Sequence, residues 1–152
     1  MTAEQKLREL NIDLPAPACP VGAYVAVVRT GDLIFTAGQL PLADGTLTAA
    51  GKVPVDVPMA DAKAAARTAA LNALAAVRSE AGSLDAVTRV VRLNVFVNSA
   101  AGFTDQAQVA NGASELLQEI FGDVGRHTRC AIGAAELPLD APVELDLIVE
   151  AS

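Results

Sequence analysis

Residues 143–150, VELDLIVE, carry Val143, Leu145, Leu147 and Val149 on one parity, and Glu144, Asp146 and Glu150 on the other. Period-two alternation of this kind describes a strand with one face against a core and one face turned away from it. A second run, VTRVVRLNVFVN at 87–98, reads as a longer strand whose even positions Thr88, Arg92 and Asn94 make one face partly polar. Strands so patterned commit the chain to a sheet that needs an apolar layer on one side and some other cover on the opposite side.

The rest of the chain supplies that layer. Asp61–Val77 is Ala-rich with Leu71, Leu74 and Val77 at helical spacing, and Gly82 follows as a stop. Thr104–Phe121 reads as a second helix, with Thr104 as N-cap and Gly122 just past its end. YVAVVR and LIFTAG flank Thr30-Gly31-Asp32 and read as a hairpin. Residues 42–53 are turn-rich and read as a surface excursion, and 128–135 reads as a strand. Pro138–Pro142 reads as a turn that brings the last strand back beside 128–135 as a hairpin. The order ββ, α, β, α, ββ predicts an α+β fold: a single mixed β-sheet with two helices packed on one face. Residues 3–10 form a short helix ahead of Pro15, Pro17 and Pro20, so 1–14 reads as an N-terminal helical extension and 15–152 as the domain proper.

Composition narrows the function classes. The chain has 152 residues, 52% of them hydrophobic but only 3% aromatic, with no Trp, so the apolar content is mostly Ala, Val and Leu. A core of small side chains leaves apolar surface over, which points to a homo-oligomer. Net charge is −7, and the only basic clusters, Arg89/Arg92 and Arg126/Arg129, are short, which argues against nucleic acid as a partner. Cys19 and Cys130 match no metal spacing, and the single histidine, His127, cannot complete a common zinc site, so no metal is expected. MTAEQKLREL has no apolar signal region, and the Ala-rich run at 59–77 contains Asp61, Lys63, Arg67 and Asn72. A cytoplasmic protein without a membrane span is expected.

Arg129 opens an otherwise small and apolar strand. A guanidinium there either lines a cavity and meets a carboxylate with its planar fork, or pairs with an acidic residue on the sheet edge. Glu144 either positions a water as general base or belongs to a solvated acidic face shared with Asp146 and Glu150. Tyr24, the only tyrosine, either orients a ligand or fills a half-buried strand position. Gly38 in TAGQLP lets a ligand approach the backbone, although the segment lacks phosphate-loop spacing. His127 either acts as a base, although no nearby Ser or Cys is arranged with it as a nucleophile pair, or is a surface or interface histidine. Cys130 is either a thiol activated by Arg129 or a small buried residue.

These pieces coincide in one pattern. G-A-Y at 22–24, LIFTAGQLP at 33–41, the 87–98 strand and RCAIGAAELPLDAPVELDLIVEA at 129–151 resemble the reactive intermediate deaminase family, Rid, also called YjgF or L-PSP. The most specific element is an arginine eight residues before Leu-Pro, with a glutamate six residues beyond that proline. The resemblance covers residues 15–151, and the N-terminal helix is similar to that of the longer members. It implies a chorismate-mutase-like fold and a homotrimer whose three sheets form a barrel, with ligand clefts between subunits. It also implies that Arg129 holds the carboxylate of a 2-imino or 2-enamino acid, that Gly38 offers backbone contacts, and that Ala131 lies on the cleft wall. Tyr24 and Glu144 would hold the water that converts the imine to a 2-keto acid and ammonia, with no cofactor. Two departures alter that wall: Tyr24 is followed by Val25-Ala26-Val27 where Ser-Gln-Ala is common, and Ala131 stands where Cys is common. Beside imine hydrolysis, the resemblance leaves open a non-catalytic metabolite-binding protein and an endoribonuclease.

Overall fold

The computed structural model describes residues 1–152. Its elements are α1 (Ala3–Glu9), β1 (Val27–Thr30), β2 (Leu33–Thr36), β3 (Leu42–Ala43), β4 (Thr46–Leu47), α2 (Met59–Ala81), β5 (Val87–Asn98), α3 (Gln106–Phe121), β6 (Thr128–Ala134) and β7 (Val143–Ala151). Five strands form one sheet in the order β1-β2-β7-β5-β6. Every pairing is antiparallel except β5 with β6, so the sheet is mixed and the fold is α+β.

The period-two pattern of the last strand is realised. Val143, Leu145, Leu147, Val149 and Ala151 are all buried, and Leu93, Val95 and Val97 of β5 share their face. α2 and α3 cover this face and pack on each other. The packing is close because α2 presents Ala62, Ala65, Ala66, Ala69, Ala70 and Ala73, all essentially inaccessible. Gly112 of α3 completes the contact, since a Cβ there would collide with the backbone carbonyl of Lys63. Small side chains thus let backbones approach where a larger aliphatic core would hold them apart.

α1 begins with a reciprocal cap. Thr2 Oγ1 accepts from Gln5 N at 3.2 Å, and Gln5 Oε1 accepts from Thr2 N at 2.9 Å. Leu7 enters the common core, and Glu4 accepts hydrogen bonds from Leu84 N and Arg78 Nη1 at the far end of α2.

Several local expectations change. α2 runs from 59 to 81 rather than 61 to 77, and α3 starts at Gln106 with Asp105 as N-cap, without a side-chain capping bond from Thr104. The excursion at 42–53 contains the β3–β4 hairpin, turned at Asp44-Gly45, and ends inward with Val53 fully buried. The largest change concerns β6 and β7, which do not form a hairpin. β5 lies between them, parallel to β6. α3 supplies the crossover that a parallel pair requires. Residues 135–142 then pass over the end of β5, where Asn98 pins them: its Nδ2 donates to Asp140 Oδ1 at 3.0 Å and to the Ala141 carbonyl at 3.1 Å. Lys52 Nζ donates to Asn98 Oδ1 at 2.9 Å and also to the Ala135 carbonyl, fastening both ends of the crossing segment.

Candidate functional site

The sequence-selected residues fall into two groups. The first gathers beyond the β1–β2 hairpin. Gly38 lies just past β2, before Gln39, which bridges to Leu145. Glu144 lies against Gly38 so closely that a Cβ at that glycine would run into its carboxylate. Tyr24 shares a cavity of about 460 Å³ with Gly38, lined also by Cys19, Val21, Leu40 and Leu139. Tyr24 is not on the first strand. It precedes β1 in the extended segment after the prolines and is 56% exposed, so its phenol is open to the cavity mouth. Glu144 is half-buried, and its carboxyl is pushed above the ordinary value, first by burial and then by the neighbouring negative charge of Asp146. Asp146 itself accepts from Asn94 Nδ2 at 2.8 Å, and Asn94 Oδ1 accepts from Arg92 Nε at 3.0 Å.

The second group lies at the opposite edge of the sheet. β6 is the edge strand, and the register pairs Arg129 with Leu93 and Ala131 with Val95. Leu93 and Val95 face the helices, so Arg129 and Ala131 do too. Arg129 is half-buried and finds no acidic partner. Its Nη1 donates to Asn111 Oδ1 at 2.7 Å and to Ser114 Oγ at 3.1 Å, both on α3. The sheet-edge ion pair considered from sequence is therefore absent. Cys130, expected to be small and buried or else activated by Arg129, is exposed on the other face of the strand, away from the guanidinium.

His127 also differs from expectation, because a serine does stand beside it. Ser114 Oγ lies 2.9 Å from His127 Nε2, and His127 Nδ1 lies 2.6 Å from the Gly125 carbonyl. Asn111 and Ser114 were not singled out in the sequence. Their spacing of three on a helix leading into the Arg129 strand is the signal that identifies them.

The two groups are apart within one chain. Glu144 is paired with Phe96, three positions along β5 from Leu93, and so it points to the face opposite Arg129. β5 separates β7 from β6, which places the two strands about 10 Å apart, with a further offset of about 10 Å along them. A single small molecule cannot touch both side chains of one protomer.

A mixed α+β sheet covered by helices on one face, with an arginine lacking an acidic partner at one edge and a cavity beside Gly38 on its other side, has the architecture of a chorismate-mutase-like single-sheet protein. The family described as "YjgF/chorismate mutase-like, putative endoribonuclease" matches residues 4–150, and the chain belongs to it. The chain is 46% identical to protein TCP17 of Trypanosoma cruzi over 95% of its length and 91% of that protein. It is 28% identical to a 2-iminobutanoate/2-iminopropanoate deaminase of Dermatophagoides farinae over 91% of its length and 93% of that enzyme. Among solved structures, protein Atu1372 of Agrobacterium tumefaciens superposes with a TM-score of 0.91 at 42% identity, covering 99% of this chain and 92% of that one. TdcF of E. coli with bound serine superposes at 0.67 with 27% identity, covering 90% and 94%.

Proposed function

We propose that the protein is a homotrimer that binds a small 2-imino or 2-enamino carboxylate between protomers and hydrolyses it to a 2-keto acid and ammonia. The observation that carries this reading is the Arg129 guanidinium: tethered through Nη1 to neutral groups only, with Nε and Nη2 free of protein partners at a sheet edge. An arginine so held is a ready site for a carboxylate.

The separation of Arg129 from Glu144 supports a shared site. The β6 edge of one protomer, carrying Arg129 and Ala131, would meet a neighbour's cavity lined by Tyr24 and Gly38, with Glu144 against that glycine. The helix-free face also calls for cover, because Val28, Phe35 and Ile132 are exposed on it. The deaminase relative acts on 2-imino acids and TdcF carries serine, both small molecules with the carboxylate that Arg129 would take.

The chemistry requires a held carboxylate and a directed water. Arg129 fixes the acid group. The water attacks the imine carbon, and Glu144, whose raised proton affinity suits it as acceptor, takes a proton from it. That proton passes to the nitrogen, giving a carbinolamine. Glu144 then takes the carbinolamine hydroxyl proton and delivers it to the same nitrogen, so the C–N bond breaks and ammonia leaves as the carbonyl forms. The Tyr24 hydroxyl orients the water, and the backbone at Gly38 lets the substrate lie close.

A second reading, binding without turnover, is favoured by one observation: Val25 and Ala26 follow Tyr24 where the family commonly has polar residues, which leaves fewer groups to order water. Endoribonuclease action is disfavoured by the charge of −7, and of the arginine clusters Arg129 is turned to α3 and Arg92 to Asn94. Generating an imino acid with an amino-acid oxidase and following its decay separates the first two readings. The protein is expected to speed decay, and Arg129→Ala to lose about 10- to 100-fold of that effect, the worth of a charged hydrogen-bonded pair. Undiminished decay with Arg129→Ala removes the anchor assignment, and no acceleration by the unmodified protein leaves binding alone.

A further inference from the structure

The geometry points to Asn111, Ser114 and His127 as positioning residues for Arg129, joined in a directed hydrogen-bond chain that leaves only the Nε–Nη2 edge of the guanidinium to a ligand. This rests on Arg129 being the carboxylate anchor and adds how it is held and in which orientation the acid group meets it.

The direction of each bond follows from what each atom can do. The Gly125 carbonyl can only accept, so the contact at 2.6 Å places the imidazole proton on Nδ1 of His127. In the neutral ring Nε2 is then a bare acceptor. Ser114 has a single hydroxyl proton and lies 2.9 Å from Nε2, so that proton goes to the histidine. The serine lone pairs are thereby turned toward Arg129 Nη1 at 3.1 Å. The other hydrogen of Nη1 goes to Asn111 Oδ1 at 2.7 Å. Nη1 is used up, and a carboxylate can form its two parallel bonds only side-on, to Nε and Nη2. Without His127 the Ser114 hydroxyl is free to rotate and turn its hydrogen toward the guanidinium, donor against donor.

The fold holds every member of this chain. Asn111 and Ser114 are three apart on α3 and share a stripe. His127 and Arg129 are two apart on one extended segment and share a side. Gly125 is pressed against α3, since a Cβ there would collide with the Leu117 carbonyl, and this brings its own carbonyl under the imidazole. Arginine is a long and flexible side chain, and ordering it before the ligand arrives raises affinity by preorganisation.

Two measurements on the full-length chain test this. His127 is the only histidine, so nitrogen NMR reports its tautomer without ambiguity. With the imidazole neutral, the Nδ1–H form is expected in both the unmodified protein and Ser114→Ala, since the Gly125 carbonyl holds that proton in each, while the Nε2 resonance is expected to shift in Ser114→Ala as its donor is lost. An Nε2–H form in the unmodified protein, or no response to Ser114→Ala, overturns the chain of bonds without any ligand. Ser114→Ala keeps α3 intact, since alanine is the better helix former.

The second measurement is calorimetric titration with 2-ketobutyrate. Asn111→Ala and Ser114→Ala are each expected to weaken binding about tenfold at unchanged melting temperature, as the loss of one bond to a charged group implies, and His127→Ala to weaken it less, by unlocking Ser114. His127→Gln, whose side-chain oxygen can accept from Ser114, is expected to recover most of the loss. Affinity equal to the unmodified protein in all three alanine variants overturns the positioning role. Binding that survives Arg129→Ala instead overturns the anchor, and the tautomer measurement still decides whether the chain of bonds exists.

Discussion

At the scale of single residues, Glu144 has the most consequential environment. Burial and Asp146 both favour its protonated form, so the native state holds this proton at pH values where the unfolded chain has released it. Stability from this group is present below the ordinary carboxylate range and is lost as pH rises through the raised native value. Glu144→Gln cannot ionise and escapes that loss. It is expected to melt higher than the unmodified protein at neutral pH, with the gap closing on acidification, while imine hydrolysis falls. Melting curves across the acidic range check the sign, and a gap that widens on acidification would contradict it. Arg129 and Gly38 were legible as unusual residues because each breaks the pattern around it, whereas Glu144 follows the alternation of its strand and stood out through its place in the family pattern. Asn111 and Ser114 were not, since polar residues on a helix ordinarily read as solvent-facing until the partner strand is placed beneath them.

At the scale of elements, the helices and long strands were legible from period alone, because Ala-rich and alternating runs admit one burial pattern each. The partners of the strands were less so. Residues 135–142 contain Pro138 and Pro142 and resemble a hairpin turn, yet Asn98 and Lys52 hold them across the end of β5. Their role depends on contacts across 42, 43 and 83 positions, which no local pattern reveals. The α2–α3 contact offers a test of how tightly small residues set the layer. Gly112→Ala gains about 1 kcal/mol in helix propensity. Its new methyl meets the Lys63 carbonyl, a backbone atom that cannot turn aside, and overpacking of this kind costs about 1–3 kcal/mol. The clash is expected to win, lowering the melting temperature by a few degrees, as scanning calorimetry would detect. A higher melting temperature would mean that the helices separate freely.

At the scale of the molecule, the proposed function needs two groups of residues that one protomer holds on opposite faces of its sheet. The β6 edge offers a cation without an acid, and Gly38 has beside it an acid, Glu144, without a cation. In the proposed homotrimer, a closed ring of identical protomers would join the edge of each to the cavity of the next. Arg129→Ala protomers then retain an intact Glu144, and Glu144→Gln protomers retain an intact Arg129. Each variant alone is expected to be nearly inactive. Unfolded together in equal amounts and refolded, they pair an intact Arg129 with an intact Glu144 at about a quarter of the seams, if assembly is random and the sites are shared between neighbours. The refolded mixture should therefore recover about a quarter of the activity of unmodified protein carried through the same cycle. If each site were built within one protomer, every site in the mixture would carry a defect and no activity would return. Zero recovery from a mixture shown by native mass spectrometry to contain mixed assemblies would place Arg129 and Glu144 in the same site of one chain, against the register that sets them on opposite faces.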